Sequence, residues 1–138
     1  MKRVCKTVLL LMLVALTLVS FKSEWGVTDI TLEGKVGKYP IVMELQMWGS
    51  GPNINGGWYY YKSQGPNNRI DVSNDLNFDE GDGYYPRLEE SVNDKVTGTF
   101  YASHWDMNTM SGTWISADGK KQFPFTLKVI KADHHYMR

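Results

Sequence analysis

An all-β domain is what this sequence predicts: an eight-stranded antiparallel meander closing into an up-and-down barrel, with a two-sheet sandwich as the alternative. Three observations lead there. Beyond residue 27 the apolar residues recur with period two, which is the signature of half-buried strands. Between these runs stand clusters rich in Gly, Pro, Asn and Asp (GSGPNINGG, SQGPNN, DEGDG, ADGK), which supply the backbone angles that reversals need. After the first two dozen residues no segment carries an amphipathic helical pattern. Strands adjacent in sequence usually pair, and closing the meander removes two edges that would otherwise recruit other chains.

The N-terminus reads differently from the rest. Lys2, Arg3 and Lys6 precede a short apolar run over 7–19, and small polar residues follow, the layout of a secretory leader with Ser20 as its last residue and Ser23 as the alternative. The run is shorter than the roughly 20 apolar residues of a lasting membrane span, so no stable span is expected after cleavage. The only cysteine, Cys5, lies ahead of the apolar run, not after it where a lipid-anchor cysteine would sit. The expected organisation is a signal peptide over 1–20 and a single barrel domain over 21–138, periplasmic or secreted, with neither disulfide nor thiol. Without Lys2, Arg3 and Lys6, 12 basic residues face 15 acidic ones. Such a mildly acidic domain suits neither nucleic acid nor an anionic membrane.

The strands are expected near 27–36, 39–48, 57–63, 69–78, 84–91, 95–104, 110–117 and 122–131. In the first, Ile30 and Leu32 share a face opposite Asp29, Thr31 and Glu33; in the second, Ile41, Met43, Leu45 and Met47 alternate with Val42, Glu44, Gln46 and Trp48. The third, GGWYYYK, puts Trp58 and Tyr60 on one face and Tyr59 and Tyr61 on the other. A register with Trp58 across from Gln46 and Tyr60 across from Glu44 sends Trp58 and Tyr60 out and Tyr59 and Tyr61 in, where their hydroxyls need a polar partner such as Asn74 or a ligand. Ile70, Val72, Leu76 and Phe78 mark the fourth strand, and Phe123, Phe125, Leu127 and Val129 the eighth. Aromatic–proline pairs open three strands, at Tyr39-Pro40, Tyr85-Pro86 and Phe123-Pro124, as befits a residue without an N–H. For the sixth and seventh strands, a turn in DMNT pairs Ala102 with Trp114, His104 with Gly112 and Tyr101 with Ile115. Gly98 and Gly112 then mark places where the sheet bends or backbones approach closely.

Few residues are placed for catalysis. Three histidines remain, His104 at a hairpin end and His134 with His135 in a polar tail, and no serine has the G-x-S-x-G setting of a hydrolase nucleophile. An EF-hand reading from Asp75 fails at Glu80 and Pro86, leaving only a loose acidic turn in DLNFDEGDG, and adjacent His134 and His135 supply too few ligands for a metal. Neither metal nor cofactor is expected. A carboxylate-dependent hydrolase stays open as an alternative if Asp71, Glu89, Glu90 and His104 converge.

GGWYYYKSQG, then TGTFYAS, then GTWISADGKKQFPFTLKV resembles a pattern of small exported bacterial proteins of largely unassigned role, in which G-x-Y-Y-Y, T-G-x-F and G-T-W-x-S-x-D-G-K-K-x-x-P-F recur in that order over 27–131. The resemblance implies export and a β-rich domain and transfers no catalytic residue. The meander is also similar to lipocalin and avidin barrels, without their ligand-binding motifs. The expected function is a non-catalytic exported barrel that binds a small molecule, a glycan or a protein. Trp48, Trp58, Tyr60 and Trp105 are its expected contact residues, with Tyr59, Tyr61 and His104 at the interior or rim. A structural envelope protein is the third possibility.

Overall fold

The computed structural model describes residues 26–48, 54–74 and 85–136. The expected leader with Cys5, the turn residues 49–53 and the acidic turn residues 75–84, with Asp79, Glu80 and Asp82, lie outside the described residues. Eight strands follow one another: β1 (Gly26–Val36), β2 (Tyr39–Trp48), β3 (Ile54–Tyr61), β4 (Ile70–Asn74), β5 (Arg87–Val92), β6 (Lys95–Trp105), β7 (Thr109–Ser116) and β8 (Gln122–Tyr136). Each is antiparallel to the next, and β8 returns to pair with β1, so the sheet is a closed meander barrel. This is the architecture of lipocalin-like barrels; the sandwich alternative is excluded by the β1–β8 pairing.

Alternation fills the interior. Ile30, Leu32 and Val36 of β1 meet Ile41, Met43, Leu45 and Met47 of β2, Phe125 and Leu127 join them from the adjacent β8, and Leu88, Phe100 and Met110 complete the core. Rings knit its centre: Phe100 stands edge-on to Tyr59 on one side and to Phe125 on the other, both at 5.2 Å between centroids. Such pairs add about 0.5–1.5 kcal/mol each beyond the area they bury.

Turns follow the chemistry of their residues. Asn93 and Asp94 both take positive φ (53° and 63°) and close β5 onto β6 in two residues, as a primed turn requires. Pro40 lies near the start of β2 and Pro86 just before β5, and the carbonyls of both accept bonds, from Lys62 N and Ala102 N.

Four pairings slip by one residue. The extra residues are Asn55 in β3, Thr97 in β6, Ser103 in β6 and Ile130 in β8. The β2–β3 pairing sets Glu44 across from Trp58 and Val42 across from Tyr60, two residues from the expected register but with the same faces. In the β6–β7 hairpin Ala102 faces Gly112 and Phe100 faces Trp114, correcting the expected pairs Ala102–Trp114, His104–Gly112 and Tyr101–Ile115. The expected close approaches are there, however. A Cβ on Gly112 would lie 2.0 Å from the Tyr101 carbonyl oxygen, and one on Gly98 would lie 2.5 Å from the Trp114 ring. Strand β8 runs to Tyr136, not 131, because the polar tail continues to pair with β1 from Thr31↔Lys131 to Gly26↔Tyr136.

Candidate functional site

The four rings of GGWYYYK divide as alternation demands. Tyr59 is buried, with 1% of its surface exposed, and Tyr61 is half-buried beside it, ring centroids 5.7 Å apart. The polar partner of Tyr59 is Glu90, not Asn74: its hydroxyl donates to Glu90 Oε2. The same oxygen accepts from Trp114 Nε1 at 3.1 Å, and Glu90 Oε1 accepts from Thr97 Oγ1 at 2.8 Å. Glu90 is 5% exposed, and these donors satisfy a carboxylate that would otherwise be costly to bury. Thr97 is the extra residue of its slip, and the slip is what turns its hydroxyl to the barrel. Burial, then the charge of Glu90, pushes the Tyr59 phenol well above its ordinary value of 10.0, and burial likewise raises Tyr61.

Outside, Trp58 and Tyr60 are stacked at 6.0 Å with 25° between their planes. The cation packed on Trp58 is Arg69, its guanidinium 3.9 Å from the ring centroid. Lys62 pairs with Glu33 at 3.5 Å, and Lys38 stands over Tyr39. Beside the aromatic pair, β1, β2 and β3 form a depression of about 390 Å³. Asp29, Glu44 and Gln46 line one side, Asn55 and Trp58 the other, and Gly56, directly across from Gln46, sends no side chain into the space. Asn55 Nδ2 donates to Gln46 Oε1 at 3.4 Å, and His135 Nε2 lies 3.1 Å from Asp29 Oδ2. Trp48, half exposed, ends β2 four residues beyond Glu44.

Two expected contact residues are elsewhere. Trp105 is 8% exposed and belongs to the core, because the extra residue Ser103 resets alternation so that Trp105, not His104, points inward. His104 is exposed at the β6–β7 hairpin, 3.0 Å from Thr109 Oγ1 and 3.2 Å from Asp106 Oδ2, at the end of the strand and not in the interior. The four groups of the hydrolase alternative do not share a face. Glu90 points in, its neighbour Glu89 and the exposed Asp71 point out, and His104 stands on another hairpin. Among the described residues no group of three His, Cys, Asp or Glu is gathered as a metal site would need. The depression itself was not legible, since its amide Asn55 is displaced to this position by a slip that interrupts period two. A signal was present in the glycine pair 56–57, which leaves bare backbone beside an aromatic run.

No family model matches the chain, and no curated protein and no solved structure matches it either.

Proposed function

We propose that this chain is an exported, non-catalytic barrel that binds its partner on the outer face of β1–β3, around Trp58 and Tyr60, and not in the barrel interior. The distribution of its bulk carries the reading. Tyr59, Phe100 and Phe125, each 1% exposed, fill the space a lipocalin-like barrel would offer a ligand. Two rings of the same aromatic run, Trp58 and Tyr60, lie outside, and Trp58 lines a depression with convergent polar groups. Outward-facing, half-buried aromatics beside such groups are suited to anchor recognition, since they bring large contact area at little conformational cost. Export follows from the basic-then-apolar leader, and the aromatic-run and GTW segments support a bacterial origin of the type the sequence resembles.

Native mass spectrometry of the mature protein purified from its own cells tests this reading. A companion mass that is retained by the wild type and lost from the Trp58→Ala/Tyr60→Ala variant supports it. A companion retained by that variant but lost when the interior is altered by Tyr61→Ala places binding inside and refutes it.

A further inference from the structure

The polar groups around the depression narrow the class of ligand. Asp29 and Glu44 offer acceptors, while Gln46 and Asn55 offer both donors and acceptors, and among the described residues no lysine or arginine lines the space. An anionic ligand, whether phosphate, sulfate or carboxylate, would therefore meet two carboxylates, while the Arg69 guanidinium beside the space is committed to the Trp58 ring. A cationic ligand would use the carboxylates, but with Gln46 Oε1 already accepting from Asn55 Nδ2, the Gln46 N–H group would face it as a donor. Asp29 is moreover already engaged by His135, and the cation-binding face of Trp58 already holds Arg69. A hydroxyl both donates and accepts, so a row of hydroxyls answers every group present. What bears hydroxyls along its edge and a flat apolar C–H face for an indole is a pyranose ring. The volume of about 390 Å³ lies near the lower end of the roughly 300–1,000 Å³ of small-molecule sites, matching a short stretch of sugar chain and not a folded protein surface.

From this geometry we infer that the depression between β1, β2 and β3 binds a neutral saccharide, with the face of Trp58 that Arg69 does not cover as the stacking platform and Glu44, Gln46 and Asn55 as the hydroxyl partners. The inference rests on the outer-face reading given above. Gly56 leaves one wall of the depression bare, and what requires a glycine there is the close approach of β4: a Cβ would lie 2.9 Å from the Val72 carbonyl oxygen. The slip at Asn55 is part of the site, since the slip sets an amide next to the Gln46 amide.

The test is titration of the mature protein with neutral tetrasaccharides of glucose, mannose, galactose and N-acetylglucosamine, followed by isothermal calorimetry and by NMR of the indole and side-chain amide signals. Expected is binding by at least one of them that perturbs the Trp58 indole and the Asn55 and Gln46 amides, is little changed by salt, and weakens tenfold or more in Trp58→Ala and in Gln46→Ala. Because Gln46 is on the surface, Gln46→Ala keeps the fold, which circular dichroism confirms, and so separates lost contacts from lost structure. If none of the tetrasaccharides binds while the companion mass still disappears in the Trp58→Ala/Tyr60→Ala variant, the saccharide inference falls and the outer-face reading stands. Salt-sensitive binding of trilysine that perturbs the same amides would assign the depression to a cationic ligand and overturn the inference as well. Saccharide binding that persists in both single variants overturns it by placing the sugar elsewhere.

Discussion

Glu90 is the one buried charged residue among the described core positions, and its surroundings explain how the barrel tolerates it. Bonds to a carboxylate contribute about 1.5–3 kcal/mol each, and an orphaned buried donor costs about 1–3 kcal/mol. Tyr59→Phe removes one such bond while keeping the ring packed on Phe100, so urea unfolding is expected to show a loss of about 1.5–3 kcal/mol. Glu90→Gln replaces an acceptor with an amide N–H that faces donors, and a comparable loss is expected. Combining the two changes should cost less than their sum, because both break the same bond. The network also sets the alkaline limit. Tyr59 and Tyr61 have folded values raised above the ordinary 10.0. Their contribution is therefore complete below pH 10 and is lost as pH rises through the raised values. Absorbance titration should show a tyrosine that ionises only together with unfolding, and Tyr59→Phe should lack that step; early ionisation of every tyrosine in the folded protein would contradict the buried Tyr59–Glu90 contact.

Strands are where reading the sequence succeeds and where its limits are visible. Ile41, Met43, Leu45 and Met47 are buried as their spacing requires, because alternation is a local geometric property of an extended chain. Slips are not local. Whether Ser103 or Asn55 is the extra residue depends on the partner strand, so the inward turn of Trp105 and the placing of Asn55 beside Gln46 could not be read from period two. Nor could the partner of Tyr59 be found, since Glu90 comes from β5, on the far side of β4. Hairpin β6–β7 shows a further consequence. Asp106 accepts from the Thr109 and Asn108 amides and from the Thr109 hydroxyl, which, with His104 beside it, brings its carboxyl down to about 2. A lowered folded value means the capped turn is favoured above the ordinary value of 3.8 and loses that advantage as pH falls toward about 2. Amide NMR shifts of Asn108 and Thr109 should thus stay level from neutral pH to about pH 4 and move only below it. Asp106→Asn should abolish that late movement, and movement centred on the ordinary carboxylate range would show the cap to be absent.

Closure is a property of the whole molecule, and it rests on the pair of strands most distant in sequence. Strand β1 meets β8 over its full length from Gly26 to Val36, but the two halves of that seam are held differently. From Leu32 to Val36 the seam carries core residues, with Phe125, Leu127 and Val129 opposite or beside them. Beyond the extra residue Ile130 the strand turns polar, and side-chain contacts accompany the ladder: Thr28 Oγ1 with His134 Nδ1 at 2.8 Å, Asp29 with His135, and Lys131 with Asp133 at 3.2 Å. Exposed pairs of this kind contribute little on their own, so backbone pairing is what keeps this half of the ring shut. Ending the chain at Ile130 would leave the backbone groups of residues 26–31 without their partner strand while sparing the core half. Hydrogen exchange of the Gly26–Thr31 amides that face β8 should then accelerate to the rates of frayed strands, with the Leu32–Val36 amides changed much less. A newly unpaired edge also recruits other chains, so the truncated protein should associate with rising concentration on size-exclusion chromatography where the full-length protein does not. Unchanged exchange at residues 26–31 would mean that the polar half of β8 contributes nothing to closure and that β1 is held by β2 alone.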